Sequence, residues 1–372
     1  MALRYLLPGQ MHYMQDNGFD VLMISADGNE LASVIENEKC RHIIVPMTRK
    51  ITPFRDLKCL FSLIRIFRRE KPDIVHTHTP KAGLLGMLAA RYCGVKVRIH
   101  TVAGLPMMVE KGIKYQLLRA TEKTTYKAAT HVWPNSNSLL QFIRQNHLAK
   151  PQKLSIIAKG STNGIDLARF NTKVLDEKII ADIRNTIRYD PQKKYLLCIG
   201  RLVVDKGIVE LVSVFKRLQK DHADLQLVLV GDYESTLDPL PSDTIGEIEN
   251  NTGIIHINWT DYVEYYMHIS DWFIFPSHRE GFPNVLLQAA AMGLPVICSR
   301  IAGNVDIITH NETGLIFDSK NEQQMFEFVE YAMEYPQQID TMSEKLKQNI
   351  EQDYRRENIW QNILAAYKSA LN

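Results

Sequence analysis

The stretch that decides the fold of this chain runs from Asp271 to Ser299 and has the sequence DWFIFPSHREGFPNVLLQAAAMGLPVICS. Its apolar and aromatic residues before Pro276 predict a buried central strand, and residues 296–299 predict a second strand. Between the two strands, the pattern predicts a helix over residues 284–292, because proline favours the first turn of a helix and glycine favours its end. A strand, a helix and a strand in this order indicate a parallel α/β sheet, and such sheets bind ligands beyond the carboxyl ends of their strands.

The same alternation of strands and helices extends along the whole chain. In the first half, we predict strands over residues 19–25, 42–46, 74–78, 96–102, 131–134 and 154–157. In the second half, we predict strands over residues 195–200, 225–231, 254–257, 272–276, 296–299 and 315–317. At 372 residues, the chain is too long for one ordinary hydrophobic core, so we expect two domains.

The composition excludes several classes of protein. With 45% hydrophobic residues, 23% charged residues and a net charge of +2, the chain is an ordinary globular protein without a basic block, so we expect no nucleic-acid partner. Its five cysteines are scattered and lack the spacing of a zinc site, which favours reduced residues of a cytoplasmic protein. No apolar run approaches the ~18 residues of a membrane span, so we expect a soluble or peripheral protein.

Three further segments carry distinctive motifs. Residues 200–207 have the sequence GRLVVDKG, residues 163–166 have the sequence NGID with Phe170 after them, and residues 311–316 have the sequence NETGLI. Together with residues 271–299, these segments resemble the motifs of the retaining glycosyltransferases of family 4, in that family's order and over most of the chain. Within the family, the chain resembles the bacterial enzymes that build capsular and surface polysaccharides.

The resemblance implies the GT-B fold, an α/β architecture of two Rossmann-like domains whose parallel sheets face an inter-domain cleft. It implies an N-terminal acceptor-binding domain at residues 1–165, a C-terminal nucleotide-sugar-binding domain at residues 166–352, and a helix at residues 353–372 that crosses back to the N-terminal domain. A Rossmann-like domain begins with a strand, whereas residues 3–17 predict a helix with a kink at Pro8-Gly9. We therefore expect that the first strand of the N-terminal domain is missing from this sequence, within a segment of about ten residues.

Sugar transfer requires positive charge beside the leaving group, because cleavage of the bond between an anomeric carbon and a nucleoside diphosphate leaves negative charge on the phosphate. Arg201 and Lys206 follow a predicted strand and are suited to this role, although both residues also fit a loop with simple surface charges. In the family, an acid at the position of Glu280 lies beside the donor sugar, and the other interpretation of Glu280 is an acid that caps the next helix. We predict that Arg201, Lys206 and Glu280 are the catalytic residues.

The resemblance also implies a set of donor-binding residues. Where the family usually has a second glutamate, beside the nucleotide ribose, this chain has Gln288, whose amide can still donate to and accept from a ribose diol. The predicted donor-binding residues are Gly200, Gly281, Phe282, Asn284, Val285 and Gln288.

Candidate acceptor or cleft residues follow two predicted strands of the first half. His78 and Lys81 come at the end of the strand at residues 74–78, and we predict that they line the cleft. Ala103 stands immediately before Gly104, at a position where the family has a histidine that reaches the donor sugar. Either another group assists the leaving phosphate here, or the enzyme works without that hydrogen bond.

We expect no metal and no other cofactor, and the nucleotide sugar is expected to be a substrate. His76 and His78 lie on one face of a strand, and a His-x-His pair can bind a metal, but the sequence offers no third ligand. The chain also lacks the Asp-x-Asp motif that holds a metal in the other large glycosyltransferase fold. We expect Arg201 and Lys206 to take the place of the metal cation.

Two segments favour contact with an anionic membrane surface. Residues 57–71 combine apolar and basic residues as a basic amphipathic helix does, although a Rossmann helix with one buried face has the same pattern. The loop at residues 105–114 is expected to expose two methionines beside lysines. If the acceptor is a polyprenyl-linked glycan, both segments would hold the protein at the cytoplasmic face of the inner membrane.

The sequence therefore predicts a retaining glycosyltransferase of surface polysaccharide synthesis. We expect it to move a hexosyl or N-acetylhexosaminyl group from a nucleoside diphosphate sugar, a UDP-sugar in our expectation, to a glycan or lipid-linked glycan. Two other functions fit the same residues: a GT-B epimerase of sugar nucleotides, and a non-catalytic protein of this fold that binds a sugar nucleotide.

Overall fold

A computed structural model shows the chain as alternating helices and strands, and it describes residues 2–48, 52–236 and 238–372. In the first half, the helices and strands are α1 (Ala2–Leu6), α2 (Gln10–Asp16), β1 (Leu22–Ser25), α3 (Leu31–Glu38), β2 (Arg41–Ile44), α4 (Pro53–Glu70), β3 (Ile74–Thr77), α5 (Pro80–Tyr92), β4 (Val97–Val102), α6 (Gly112–Ala128), β5 (His131–Pro134) and α7 (Asn137–Gln145).

In the second half, they are α8 (Glu177–Thr186), β6 (Lys194–Ile199), α9 (Ile208–Asp221), β7 (Leu225–Val230), α10 (Ser242–Asn250), β8 (Ile254–Ile257), α11 (Val263–His268), β9 (Trp272–Phe275), α12 (Asn284–Ala291), β10 (Val296–Arg300), α13 (Asn304–Ile307), β11 (Leu315–Asp318), α14 (Glu322–Glu334), α15 (Pro336–Asp353) and α16 (Arg356–Leu371).

The chain divides into two compact units. Unit 1 is Met1–Gly164 together with Arg356–Asn372, so the last helix, α16, belongs to the same unit as the first seven helices. Unit 2 is Ile165–Arg355. Each unit has its own parallel strands and its own buried apolar clusters.

Unit 2 is built on a six-stranded parallel sheet with the order β11-β10-β9-β6-β7-β8. Its inner strands β6 and β9 are buried apolar runs, because helices cover both faces of a parallel sheet. Leu197 in the middle of β6 lies opposite Phe273 of β9 and Val228 of β7, and all three side chains are 0 or 1% exposed. The predicted α/β class with parallel sheets is confirmed.

In unit 1, the described strands form two separate parallel sheets, β1-β2 and β3-β4-β5. The strands of the described part of the chain overlap every predicted strand except one. The strand predicted over residues 154–157 is wrong, since Leu154 makes only an isolated bridge with Val132. A 3-10 turn at Pro151–Lys153 comes directly before it, and Ala158, with a left-handed φ of 49°, turns the chain soon after it. The strand expected ahead of residue 1 stays a prediction.

The N-terminal helical segment is divided at Pro8-Gly9, as predicted. Gly9 separates α1 from α2 and has a left-handed φ of 81°. The buried carboxylate of Glu38 accepts hydrogen bonds from the backbone N–H of Gly9 at 2.6 Å and of His12 at 3.0 Å. A negative charge thus lies at the positive end of α2, where it stabilises the first turn.

The last helix, α16, is fixed to unit 1 by hydrogen bonds and aromatic packing. Trp360 Nε1 donates to Asn163 Oδ1 at 2.6 Å, and the Tyr367 hydroxyl lies 2.5 Å from His76 Nδ1. The ring of Tyr367 also stacks on Trp133 of β5, with 6.0 Å between the ring centroids. These bonds hold α16 against the strands β3 and β5.

The buried carboxyl group of Glu122 predicts a pH dependence of stability. Glu122 lies on α6 and is 4% exposed, and burial raises the pKa of its carboxyl group from 4.5 to about 7. Because the folded state holds this proton more tightly than the unfolded chain, the stabilisation is complete below pH 4.5 and is lost as the pH rises through 7. For Glu122→Gln, which cannot ionise, we expect the fall in the free energy of unfolding between pH 5 and pH 8 to be smaller by about 2 to 3 kcal/mol.

Urea unfolding of both proteins at pH 5 and pH 8 measures this difference. Glu36→Gln is a matched control, because Glu36 lies on the exposed side of α3, and it should follow the wild-type protein. A Glu122→Gln variant with wild-type pH dependence would contradict the prediction.

Candidate active site

Four loops of unit 2 meet at the carboxyl-terminal end of its sheet. They follow β6, β7, β9 and β10, whose carboxyl ends lie side by side because the strands are parallel and adjacent. Two glycines with positive φ allow these loops to touch through their backbones. A Cβ atom on Gly207 would lie 2.2 Å from the carbonyl oxygen of Pro276, and one on Gly231 would lie 2.0 Å from that of Gly200. The loops are therefore packed at a distance that side chains would prevent.

Lys206 and Glu280 form an ion pair at this end of the sheet, between the loops after β6 and β9. Lys206 Nζ donates to Glu280 Oε1, and the buried Ser277 donates to the same oxygen from Oγ at 3.2 Å. Lys206 Nζ also lies 5.5 Å from the ring centroid of Phe275. The two side chains are 20% and 19% exposed, so water screens this pair less than it screens an ion pair on the surface.

This contact bears on the helix-cap interpretation of Glu280. The cap position of α12 is occupied by Pro283, and the carboxylate of Glu280 is bonded to Lys206 and Ser277 instead. Glu280 thus lies beside a cation rather than capping the helix.

Arg201 has a different acidic partner. Its side chain is 51% exposed, and its Nη1 atom lies 3.8 Å from Glu234 Oε2 in the loop after β7. An ion pair this exposed contributes little to stability, so Arg201 can exchange its partner at small cost. The structure brings Lys206 and Glu280 into contact and places Arg201 at the same end of the sheet, in the loop after β6.

A second ion pair was not predicted from the sequence. Arg279 Nε donates to Asp205 Oδ2 at 2.6 Å, and the backbone N–H of His278 donates to the carbonyl oxygen of Asp205 at 2.8 Å. The backbone N–H of Asp205 in turn donates to Asp238 Oδ2 at 2.6 Å. The sequence contained one indication of this second pair. Each loop has an acid next to a base, Asp205-Lys206 in one and Arg279-Glu280 in the other, so two ion pairs can form between the loops.

The predicted donor-binding residues lie at the end of β6 and around the start of α12. Gly281 and Phe282 are buried, and Asn284 and Val285 are the half-buried first residues of α12. The first N–H groups of a helix lack partners within the helix and can therefore bind polar groups of a ligand. Gln288 is half-buried one turn further along, and Gly200 directly follows β6.

In unit 1, the predicted residues have contrasting surroundings. Lys81 Nζ donates to Asp56 Oδ1 at 2.8 Å, and this pair joins the start of α5 to the start of α4. Burial lowers the pKa of His78 to about 3, so its imidazole is neutral at pH 7. Ala103 and Gly104 are half-buried in the loop after β4.

The His-x-His pair does not have the geometry of a metal site. His76 uses both ring nitrogens for hydrogen bonds, Nδ1 with Tyr367 and Nε2 with Thr101 at 2.7 Å. Over residues 2–48, 52–236 and 238–372, no group of three or more histidine, cysteine, aspartate or glutamate side chains is arranged to hold a metal ion.

Helix α4 contains the predicted amphipathic segment and has two apolar sides. Leu63, Ile66 and Phe67 are buried in the core of unit 1, as the Rossmann-helix interpretation predicts. The exposed apolar residues of the helix are Phe54, Leu57 and Phe61. None of the described helices has the length and apolar character needed to cross a bilayer.

The prediction that the loop at residues 105–114 exposes two methionines is wrong. Met107 is 1% exposed and Met108 is half-buried in the 3-10 turn Pro106–Met108, because both side chains pack into the core of unit 1. The exposed apolar residues of this segment are Val109 and Ile113.

Comparison with known proteins assigns the chain to a family. Residues 180–353 match the model described as glycosyl transferases group 1, and residues 7–160 match the glycosyl transferase 4-like domain. The capsular polysaccharide biosynthesis glycosyltransferase CapM of Staphylococcus aureus is 32% identical over 98% of this chain and 94% of its own length. A UDP-Gal:α-D-GlcNAc-diphosphoundecaprenol α-1,3-galactosyltransferase of Escherichia coli is 27% identical over 83% of this chain and 79% of its own.

Solved structures show the same fold. A glycosyltransferase from Rickettsia africae superposes with a TM-score of 0.80 at 20% identity, covering 98% of this chain and 93% of its own. Anabaena HepE, in complex with UDP and glucose, superposes with a TM-score of 0.81 at 15% identity, covering 99% and 96%. The fold is therefore GT-B, the architecture of a large class of sugar transferases. The chain belongs to the group 1 glycosyltransferases, and the protein is a glycosyltransferase.

The ion pair of Lys206 and Glu280 predicts a measurable coupling energy. Removing one partner leaves the other charge partly buried and unpaired, which costs more than removing both. We expect a double-mutant cycle of Lys206→Met and Glu280→Gln to give about 1 to 2 kcal/mol in urea unfolding.

The pair of Lys216 and Glu247, with side chains 61% and 24% exposed, is the matched control. The same cycle there should give less than about 0.5 kcal/mol. Equal coupling energies in the two cycles would show that burial adds nothing to the pair at the candidate site.

Proposed function

We propose that this glycosyltransferase moves a hexosyl or N-acetylhexosaminyl group from a UDP-sugar to a lipid-linked glycan, with retention of anomeric configuration, in the synthesis of a surface polysaccharide. The observation that carries the proposal is the ion pair of Lys206 and Glu280 at the carboxyl ends of β6 and β9. The names of the relatives support the substrates, since the Escherichia coli enzyme is named for UDP-Gal and a diphosphoundecaprenol acceptor. The HepE structure, which holds UDP and glucose, supports a UDP-sugar as the donor.

Unit 2 is proposed to bind the donor through its charged groups. The planar guanidinium of Arg201 is suited to two phosphate oxygens, and the ammonium of Lys206 adds a point charge. The carboxylate of Glu280 accepts hydrogen bonds from sugar hydroxyls. As the bond from the anomeric carbon to the phosphate oxygen breaks, negative charge develops on the phosphate, and Arg201 and Lys206 stabilise it.

Retention is proposed to follow from attack on the face that the phosphate leaves. Double displacement needs a carboxylate nucleophile, and no acid of the sequence motifs stands out for that role, since Glu280 is proposed to bind the sugar hydroxyls. We therefore propose that the acceptor oxygen bonds to the anomeric carbon while the departing phosphate oxygen takes its proton. Glu280 then orients the sugar without forming a covalent bond to it.

The remaining donor contacts are proposed to come from the start of α12. The N–H groups of Asn284 and Val285 are suited to sugar oxygens, and the amide of Gln288 is suited to the ribose diol. Because Ala103 has no polar side chain, stabilisation of the leaving group depends on Arg201 and Lys206. The same two charges take the place of a metal ion, so a chelator should leave turnover unchanged.

Unit 1 is proposed to bind the acceptor. His78, Ala103 and Gly104 lie at the carboxyl ends of β3 and β4, where parallel α/β sheets bind their ligands. Lys81 is proposed to act indirectly, because its ammonium is bonded to Asp56 and holds the start of α5.

Alanine at Arg201 or Lys206 tests the charge stabilisation. We expect each variant to lower kcat by about 100- to 10,000-fold, because the leaving phosphate loses a cationic partner. UDP release is measured with a panel of UDP-sugars and GlcNAc-diphosphoundecaprenol as acceptor. Lys216→Ala, which removes an exposed lysine of α9, is the control and should keep wild-type turnover.

Other outcomes of this assay point to the other functions. UDP release without any acceptor would indicate an epimerase, and UDP-sugar binding without turnover would indicate a non-catalytic protein. If Lys206→Ala has wild-type turnover, the ion pair has no role in the mechanism, and the proposal is contradicted.

We also infer that the outer side of α4 contacts an anionic membrane at the cytoplasmic face. Phe54, Leu57 and Phe61 are three and four residues apart, so they share one side of α4, and they are 87%, 50% and 62% exposed. The exposed basic residues near them are Arg55, Lys58 and Arg65. Exposed apolar side chains next to basic residues are typical of helices that lie in the interface of anionic lipid.

Serine at positions 54, 57 and 61 tests this contact. Full burial of one such apolar side chain stabilises binding by about 1.5 to 3 kcal/mol, and serine loses this contribution. We therefore expect binding of the triple variant to phosphatidylglycerol vesicles to fall at least about tenfold. The control is Val174→Ser with Val305→Ser, which removes two exposed apolar residues of unit 2. Vesicle sedimentation measures binding, and a triple variant that binds like the wild type would contradict the proposal.

A further inference from the structure

Unit 1 contains a small cavity beside the carboxyl ends of β3, β4 and β5. The volume that the centre of a water molecule can occupy in it is about 10 Å³. The cavity therefore has room for about one water molecule. The polar residues that line it include His76, His78, Thr101, Asn135 and Thr162. A site of this size and polarity is suited to one water molecule or one hydroxyl group.

Two buried atoms of the lining residues have no hydrogen-bond partner in the described part of the chain, His78 Nδ1 and Asn135 Oδ1. Asn135 is 4% exposed, and its other amide atom, Nδ2, donates to Thr162 Oγ1 at 3.1 Å. A buried polar atom without a partner costs free energy, so each such atom in a folded protein requires an explanation. Here a potential donor and an acceptor belong to two residues that line the same cavity.

Neighbouring contacts hold both groups in place. The ring of His78 packs against that of His76 with 4.1 Å between centroids, and His76 is fixed by Tyr367 and Thr101. The backbone N–H of Asn135 donates to Val102 at 3.1 Å, and its carbonyl oxygen accepts from Ser161 at 2.8 Å. The geometry is therefore set by the fold, as a binding site requires.

The charge of the cavity limits what it can bind. Burial lowers the pKa of His78 to about 3 and that of the nearby His100 to about 4, so both rings are neutral at pH 7. Among the described residues that line the cavity there is no lysine or arginine. A phosphate or carboxylate would lose its hydration there without gaining a cation, whereas a neutral hydroxyl group both donates and accepts.

We propose that this cavity is a binding site for one hydroxyl-bearing oxygen, to which His78 donates from Nδ1 and from which Asn135 accepts at Oδ1. In the free protein the oxygen belongs to water, and in the substrate complex a hydroxyl of the acceptor sugar replaces it. The second statement rests on the proposed function, while the first does not.

A crystal structure of the free protein at atomic resolution tests the site itself. We expect an ordered oxygen within about 3.2 Å of both His78 Nδ1 and Asn135 Oδ1. Density without such an oxygen, or with an oxygen bonded to neither atom, would overturn the proposal.

Two substitutions of His78 form a matched pair for the exchange with substrate. The amide nitrogen of asparagine is attached to Cγ, as Nδ1 is, so His78→Asn keeps a donor near the same position. The amide nitrogen of glutamine lies further out, near the position of Nε2, so His78→Gln loses that donor. We expect His78→Gln to raise the KM for GlcNAc-diphosphoundecaprenol about tenfold and to leave the KM for the UDP-sugar unchanged. His78→Asn should restore the acceptor KM to within about threefold of the wild type.

Controls separate this result from a loss of folding and from the proposed function. Thermal unfolding verifies that both variants are folded, and His42→Gln, at a half-buried histidine of β2, should leave both KM values unchanged. If His78→Gln has the wild-type KM for the acceptor, an acceptor hydroxyl does not replace the water, and the site binds water alone. A wild-type protein without acceptor-dependent UDP release would instead contradict the proposed function, and the structure of the free protein would still decide whether the oxygen site exists.

Discussion

The partly buried ion pair of Lys206 and Glu280 is the interaction on which the candidate active site depends. Taking two charges out of water costs free energy that their attraction repays only in part, so such a pair is an inefficient way to stabilise a fold. In an enzyme it has another use. Both groups are already partly desolvated and oriented, so in the proposed mechanism a phosphate oxygen and a sugar hydroxyl replace the two partners without reorganising the site.

The neighbouring pair of Asp205 and Arg279 joins the same two loops independently of Lys206 and Glu280. Each loop carries an acid and a base in adjacent positions, so two ion pairs connect the same two loops. The Asp205–Arg279 pair is the more exposed of the two, and a backbone hydrogen bond from His278 to Asp205 supports it. The loops therefore stay joined by contacts that involve neither Lys206 nor Glu280, which leaves those two groups available to a ligand.

The sequence was sufficient to predict the features that depend on neighbouring residues. The strands β6 and β9, the helix α12 and the break at Pro8-Gly9 follow from local apolar runs and from the conformations of proline and glycine. Residues 154–157 have an equally suitable pattern, but a strand also needs a partner along its length, and only Leu154 has one. The acids that bind Lys81 and Arg279 lie 25 and 74 residues away along the chain, a separation that no local pattern encodes.

The charges of the two units indicate a division of their chemistry. The candidate site of unit 2 contains Arg201, Lys206 and Glu280, and its two basic side chains are the groups that we propose to bind the diphosphate. In unit 1, burial keeps the imidazoles of His78 and His100 neutral, and a diphosphate placed among them would lose its hydration without gaining a cation. The lipid-linked acceptor of the proposed function carries its own diphosphate, which we propose to lie at an exposed basic surface such as that of α4. Only the sugar hydroxyls of such an acceptor have the chemistry of the neutral cavity, because they can donate and accept a hydrogen bond at the same oxygen.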